Sequence, residues 1–225
     1  MSAVFITGTG TDIGKTFVAT GLIRRLRELG RPVNALKPVV SGFDPRAPLC
    51  SDPAVLLKAL GRDLHPESFD AISPWRFHAA LSPDMAAQAE GRAINFEEVA
   101  EFCRAAIDRN TGTLLIEGIG GIMVPLDQRH TVLDLMLALR LPVILVAGSY
   151  LGTLSHLLCA QDVVLTHGLD LRAIVISETE NASVPFDATL ATLANFTNAR
   201  LLGLRRQVAA ATNDAVFRQL AQLIG

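Results

Sequence analysis

The sequence has no surplus of charge of either sign: 20 Lys and Arg stand against 22 Asp and Glu, for a net charge of −2, and no run of like charges occurs. A nucleic-acid footprint or an attachment to anionic membrane is therefore not expected, and small molecules are the expected partners. Cysteine is scarce as well. Cys50, Cys103 and Cys159 are odd in number, far apart and without metal-ligand spacing, which argues against a disulfide framework and fits a reducing compartment. Long hydrophobic runs are missing, since the most apolar stretch, Leu141 to Leu151, is too short to span a bilayer. The first strand follows at once on Met1 without a charged or apolar leader, so the expected location is the cytoplasm. The five histidines (65, 78, 130, 156, 167) form no metal-binding pair, and no Ser/His/Asp spacing is apparent. Repeats, low-complexity tracts and linkers are absent too.

What is there is a core-forming chain of 225 residues, half of them apolar. One α/β domain over residues 1–225 is expected. It opens on the apolar run Ala3-Val4-Phe5-Ile6, then Gly8-Thr9-Gly10-Thr11-Asp12-Ile13-Gly14-Lys15-Thr16, then a helical pattern from Phe17. Strand, glycine-rich loop and helix in that order turn backbone N–H groups toward phosphate oxygens at a helix N-terminus, where unpaired donors already favour an anion. Lys15 would reach the β/γ-phosphates and the Thr16 hydroxyl a Mg²⁺ ion. The strict pattern G-x-x-x-x-G-K-[ST] wants glycine where Thr9 stands; here Gly8 and Gly10 flank that position.

Further along, apolar spacing from Phe17 to Leu29 predicts an amphipathic helix stopped by Gly30. A second strand is expected over Pro32 to Val40, carrying Lys37. Residues 43–83 hold six of the eleven prolines and read as irregular, with one short helix near Pro53 to Leu60 and with Trp75 and Phe77 as packing residues. Ser51-Asp52-Pro53 is a helix start, so Asp52 is either a cap or a site carboxylate. Helices follow over Ser82 to Gly91 and Phe96 to Arg109. The buried strand Thr113 to Ile116 then runs into Glu117-Gly118-Ile119-Gly120-Gly121, where a strand-end carboxylate among glycines is placed as a P-loop protein places its Mg²⁺ partner. Beyond Pro125 come a helix over Val132 to Leu139, a strand over Pro142 to Val146, a long helix from Leu151-Gly152 to His167, and a strand over Arg172 to Ile176. A helix near Val184 to Phe196, a short strand near Leu201 and a closing helix to Ile224 complete the chain. Continuous apolar strands alternating with helices predict a mostly parallel sheet covered on both faces, in a P-loop NTPase-like fold with ligands beyond the strands' carboxyl ends.

Two lysines, Lys15 and Lys37, hydroxyls at Thr16 and Ser41, and carboxylates Asp52 and Glu117 suit phosphoryl transfer, which asks for positioning and positive charge around the phosphoryl oxygens. The chain also resembles the dethiobiotin synthetases. The matching segments are Gly8 to Thr16, Lys37-Pro38-Val39-Val40-Ser41-Gly42, Ser51-Asp52, Ser82-Pro83 with Glu90-Gly91, Glu117 to Gly121, Leu141 to Val146 and Leu151-Gly152, in matching order over about residues 1 to 175.

That resemblance implies a Mg²⁺-dependent ligase of biotin synthesis with ATP as co-substrate. CO₂ would add to one amine of 7,8-diaminononanoate, ATP would phosphorylate the carbamate, and the second amine would close the ureido ring. It implies roles as well. Lys15, Lys37 and Thr11 would be catalytic. Thr16, Asp52 and Glu117 would surround Mg²⁺. Gly8, Thr9, Gly10, Asp12, Ile13, Gly14, Lys15, Thr16 and Phe17, with Glu117 and Ser177, would meet the nucleotide. Thr11, Lys37, Ser41 and Gly120 would line the diamine-carbamate site. A homodimer is implied too, its shared site completed by Gly152, Thr153, Leu154 and Ser155 of the other subunit. The chain departs from the family at Ser177 and Ser155, where Asn is common, and at Leu204-Arg205-Arg206, where the family usually continues to a proline; nucleotide preference is open at these positions. An alternative is a dimerising switch like the partition and septum-site ATPases, but Gly10 and Thr11 stand where those proteins carry an extra lysine. A cyclic-acid amidotransferase lacks its glutaminase domain here.

Overall fold

The computed structural model describes residues 2–180, 182–206 and 210–225. In chain order the elements are β1 (Ser2–Gly8), α1 (Lys15–Glu28), β2 (Val33–Leu36), β3 (Val39–Val40), a 3₁₀ turn (Pro48–Cys50), α2 (Asp52–Leu60), α3 (Pro66–Ile72), β4 (Trp75–Arg76), α4 (Pro83–Ala89), α5 (Phe96–Arg109) and β5 (Thr113–Glu117). They continue with α6 (Val132–Leu139), β6 (Val143–Gly148), α7 (Thr153–Thr166), β7 (Leu171–Ser177), α8 (Phe186–Leu193), β8 (Arg200–Leu204) and α9 (Ala210–Leu223). Six strands form one sheet in the order β2-β5-β1-β6-β7-β8, and every pairing in it is parallel.

Burial explains the order. Every residue of β5 and β6 is buried, as expected of strands with helices on both faces rather than water on one. β1 lies between them, with Ile6 opposite Glu117 of β5 and Gly8 opposite Val146 of β6. The chain winds outward from β1 to β2 on one side and later to β6, β7 and β8 on the other. Beside β1 the winding reverses, and the strand ends there leave a crevice for a ligand.

The second predicted strand is two strands. β2 stops at Leu36, and Val39–Val40 leaves the main sheet to pair in parallel with Trp75–Arg76. Pro38 offers no N–H to continue a ladder, and its neighbours bond elsewhere: the Lys37 N–H donates to Ile72 O (2.9 Å) and the Trp75 N–H to Pro38 O (3.1 Å). Helix α3, within the stretch expected to be irregular, supplies that Ile72 carbonyl. Phe77 is buried and Trp75 meets Phe102 edge to face with ring centroids 5.7 Å apart, so both are packing residues as expected.

Candidate active site

Four loops meet above the carboxyl ends of β1, β2 and β5. The first joins β1 to α1. Gly14 caps α1 with φ +98°, and a Cβ built on it would stand 2.4 Å from Ser177 Oγ; glycine is required there for both reasons. Asp12 in the same loop holds φ +56° without being glycine. Lys15 folds back so that its ammonium donates to Gly10 O. Burial, and then Lys37 nearby, push the Lys15 ammonium down to about 8, with Glu117, Asp52 and Asp12 partly offsetting them. Thr9 bridges to Gly121, which ties the loop after β1 to the loop after β5.

Lys37 is the centre of the cluster. It leaves the end of β2 with only 2% of its surface exposed, and its ammonium donates to Glu117 Oε1 (2.6 Å) and Gly118 O (3.2 Å). Asp52 Oδ2 lies 3.0 Å away. Burial alone would lower the Lys37 ammonium, but the Glu117 and Asp52 carboxylates outweigh it and hold the group above its ordinary value. Burial would raise Asp52, and Lys37, with help from Thr16 and Lys15, brings it below the usual carboxylate range. The Thr16 hydroxyl donates to Glu117 Oε1 at 2.8 Å.

Asp52 is free for this role because it does not cap α2. The Ser51 side chain accepts the Ala54 N–H (3.4 Å) and serves as cap, while Asp52 opens the first turn. Of the two sequence readings of Asp52, the cap falls to Ser51, and the Asp52 carboxylate is left beside Lys37. Glu117 Oε2 is buried with no hydrogen-bond partner among the described residues. An orphaned carboxylate oxygen deep in a cleft is costly unless something positive or protic meets it. With the Thr16 hydroxyl and Asp52 close by, the donor set is all oxygen and small, which fits a Mg²⁺ ion that keeps several of its waters.

These residues line a cleft of about 800 Å³. Thr11, Asp12, Gly14, Lys15, Thr16, Lys37, Ser41, Asp52, Glu117 and Gly120 are all on its walls. So are Val40, Leu81, Pro83, Ile119 and Val124, which sequence reasoning did not assign to the site, and Arg206, from the segment where the resemblance left nucleotide preference open. The parallel pairing of β3 with β4 helps to set this wall, and nothing in the local sequence announces it. The other expected site residues lie elsewhere. Gly8, Thr9 and Gly10 face a shallower, mostly apolar cavity with Met123, His156 and Val163. Gly152, Thr153, Leu154 and Ser155 start α7 outside the cleft, and the Thr153 hydroxyl is spent on Gly148 O at 2.6 Å. Ile13 is buried in the core, Phe17 sits edge to face with Phe217, and Ser177 is buried against Gly14.

A glycine-rich loop heading a helix, with two buried lysines, a hydroxyl and a strand-end carboxylate gathered above a parallel sheet, defines a P-loop nucleotide-binding protein. A family model described as an AAA domain matches residues 2–211. The chain is 48% identical over 190 residues to an "ATP-dependent dethiobiotin synthetase BioD" of Acidiphilium cryptum, covering 84% of this chain and 85% of that one. To the protein of the same name from Caulobacter vibrioides it is 51% identical over 197 residues, covering 87% and 88%. This chain belongs to the dethiobiotin synthetase family. Among solved structures it is similar to the septum site-determining protein MinD of Pyrococcus horikoshii in complex with Mg-ADP, with a TM-score of 0.54 at 16% identity over 99% of this chain and 92% of that one. At that identity the likeness shows the fold alone, so the switch-ATPase alternative is not favoured.

Proposed function

We propose that this protein carboxylates 7,8-diaminononanoate and closes it to dethiobiotin with ATP and Mg²⁺, a step of biotin biosynthesis. The observation that carries the reading is the convergence of Lys15, Thr16, Lys37, Asp52 and Glu117 on one cleft whose lining also includes the apolar Val40, Leu81 and Ile119. An alkyl chain with two amines needs such a lining, and a phosphoryl donor needs such a cluster.

The phosphate loop binds the β/γ-phosphates through backbone N–H groups and Lys15. Lys37, at the β5 side of that loop, faces the carbamate that one substrate amine forms with CO₂. Its charge is secured by Glu117 and Asp52, so it draws the carbamate oxygen toward the γ-phosphoryl group and steadies charge on both during transfer. Thr11, Ser41 and Gly120 orient the diamine so that its second amine attacks the carbamyl carbon and phosphate leaves. Bound by Thr16, Asp52 and Glu117, Mg²⁺ would neutralise charge on the phosphates. Removing one such electrostatic contact costs about 10²–10³ in turnover, and Lys37→Ala is expected to lower dethiobiotin formation by that much, measured by mass spectrometry of the product. Wild-type turnover in Lys37→Ala would remove the lysine from the mechanism.

A two-fold dimer completes the account. The cavity outside Gly8 to Gly10 exposes Met123 beside the face of α7 that carries His156 and Cys159, and Leu151 ahead of α7 is largely exposed. These apolar groups support burial of this face against a second copy, whose Gly152 to Ser155 turn would bind the substrate carboxylate at a helix N-terminus. The three free cysteines suit the cytoplasm, where we place the reaction. Among the described residues no helix is long and apolar enough to cross a membrane.

A further inference from the structure

The main cleft has a neighbour. A polar cavity of about 280 Å³ is lined by Ser149, Glu178, Thr179, Glu180, Val184 and Arg206, among others, and Arg206 also lines the main cleft. The cavity lies past the ends of β6 and β7, on the opposite side of β1 from Lys37 and Glu117. Gly14 of the phosphate loop sits directly against Ser177 at the end of β7. A nucleotide whose terminal phosphate points to Lys37 therefore carries its base across Ser177 toward this second cavity. Ser177, expected to read the base, lines neither space.

Arg206 stands at the junction and is fixed there. Its backbone N–H donates to Glu178 Oε2 (2.9 Å), its Nε to the Glu178 carbonyl (3.0 Å) and its Nη1 to Glu180 Oε2 (3.2 Å). Those bonds use two of the five guanidinium N–H groups, and its side chain stays about half exposed, at 48%. Glu180 likewise keeps carboxylate capacity facing the same cavity. A cationic donor fork beside a carboxylate acceptor is complementary to a base edge that shows a carbonyl next to N–H groups.

We propose that Arg206 and Glu180 read the nucleobase and that the protein binds GTP at least as tightly as ATP. Guanine offers O6 to Arg206 and both N1–H and the 2-amino group to Glu180. Adenine offers N1 to Arg206 and a single amino group to Glu180, one hydrogen bond fewer. Both purines are thus served, and the pair distinguishes them through guanine's extra contact. The inference rests on the nucleotide reading of the main cleft, but it concerns binding and does not require the ring closure.

Calorimetric titration of the protein with MgATP, MgGTP, MgCTP and MgUTP, without diamine, tests it. GTP bound at least as tightly as ATP is expected, with both pyrimidine nucleotides weaker. Glu180→Gln, at an exposed side chain, is expected to lower the GTP-to-ATP affinity ratio roughly tenfold, the worth of a charge-assisted hydrogen bond, whereas Arg206→Ala is expected to weaken both purine nucleotides about tenfold and to leave the ratio in place; a merely structural role of Glu180 would not move that ratio. GTP bound more weakly than ATP, a ratio unmoved in Glu180→Gln, or no nucleotide bound at all overturns the proposal. Both purine nucleotides bound, with no dethiobiotin formed when diamine and bicarbonate are added, upholds it while overturning the catalytic reading.

Discussion

Ser51 and Asp52 are adjacent, and the structure gives them separate tasks. The serine hydroxyl caps α2, and the aspartate leans to Lys37. Ser51→Ala is therefore expected to cost about 1 kcal/mol of stability, the usual worth of an N-cap, with activity kept at temperatures where the protein is folded. Asp52→Asn should do the reverse, with a melting temperature near that of wild type and a higher Mg²⁺ requirement for phosphate release. Matched melting losses in the two variants, with Asp52→Asn fully active, would make Asp52 part of the cap. From sequence, the Ser-Asp-Pro string admits either residue as cap, because both accept a backbone N–H equally well. The choice is made by Lys37, and its position depends on Pro38 ending β2. Glu117 was legible for a simpler reason. A carboxylate continuing an apolar strand into glycines has no packing use.

At the scale of elements, the main strands and α1, α5, α6 and α7 were readable because their apolar periodicity is long and their stops are glycine or proline. The stretch 43–83 was readable only in α2, whose Ser-Asp-Pro start is a local signal. Its strand β4 and the preceding β3 are two residues each and held by each other across 36 positions of sequence, and a pairing that distant leaves no local pattern. The same limit hid the apolar residues of the cleft. Helix α6 shows how a short element is held at its start. The Asp134 carboxylate accepts both the backbone N–H (2.7 Å) and the hydroxyl (2.8 Å) of Thr131. Burial pushes this carboxyl up, but the two bonds from Thr131 push it further down, below its ordinary 3.8. A folded value below the unfolded one means that the stabilisation is complete above about pH 3.8 and is lost as pH falls through the lower folded value. Asp134→Asn should accordingly melt below wild type at pH 7, and the gap should close in acid. A gap that stays constant down to pH 2, measured by circular dichroism while both proteins remain folded at low temperature, would mean that the carboxylate charge contributes nothing there.

For the whole molecule, the proposed dimer makes each active site the work of two chains, which subunit mixing can detect. Lys37→Ala removes the cluster's centre. Gly152→Val disturbs the head of α7, where φ is +98° and a valine is strained. Alone, each variant is expected to be nearly inactive. Refolded together, they should regain activity, because one of the two sites in a mixed dimer then receives an intact Lys37 from one chain and an intact Gly152 from the other. No recovery, with mixed dimers present by native mass spectrometry, would place both residues in the same subunit's site. The central claim is that phosphoryl transfer here serves ring closure of a diamine. It is tested most directly by phosphate release from purified protein and MgATP, with and without 7,8-diaminononanoate and bicarbonate. Release that requires the diamine, matched by an equal amount of dethiobiotin, is the expected result; release indifferent to the diamine, or none, would contradict the account.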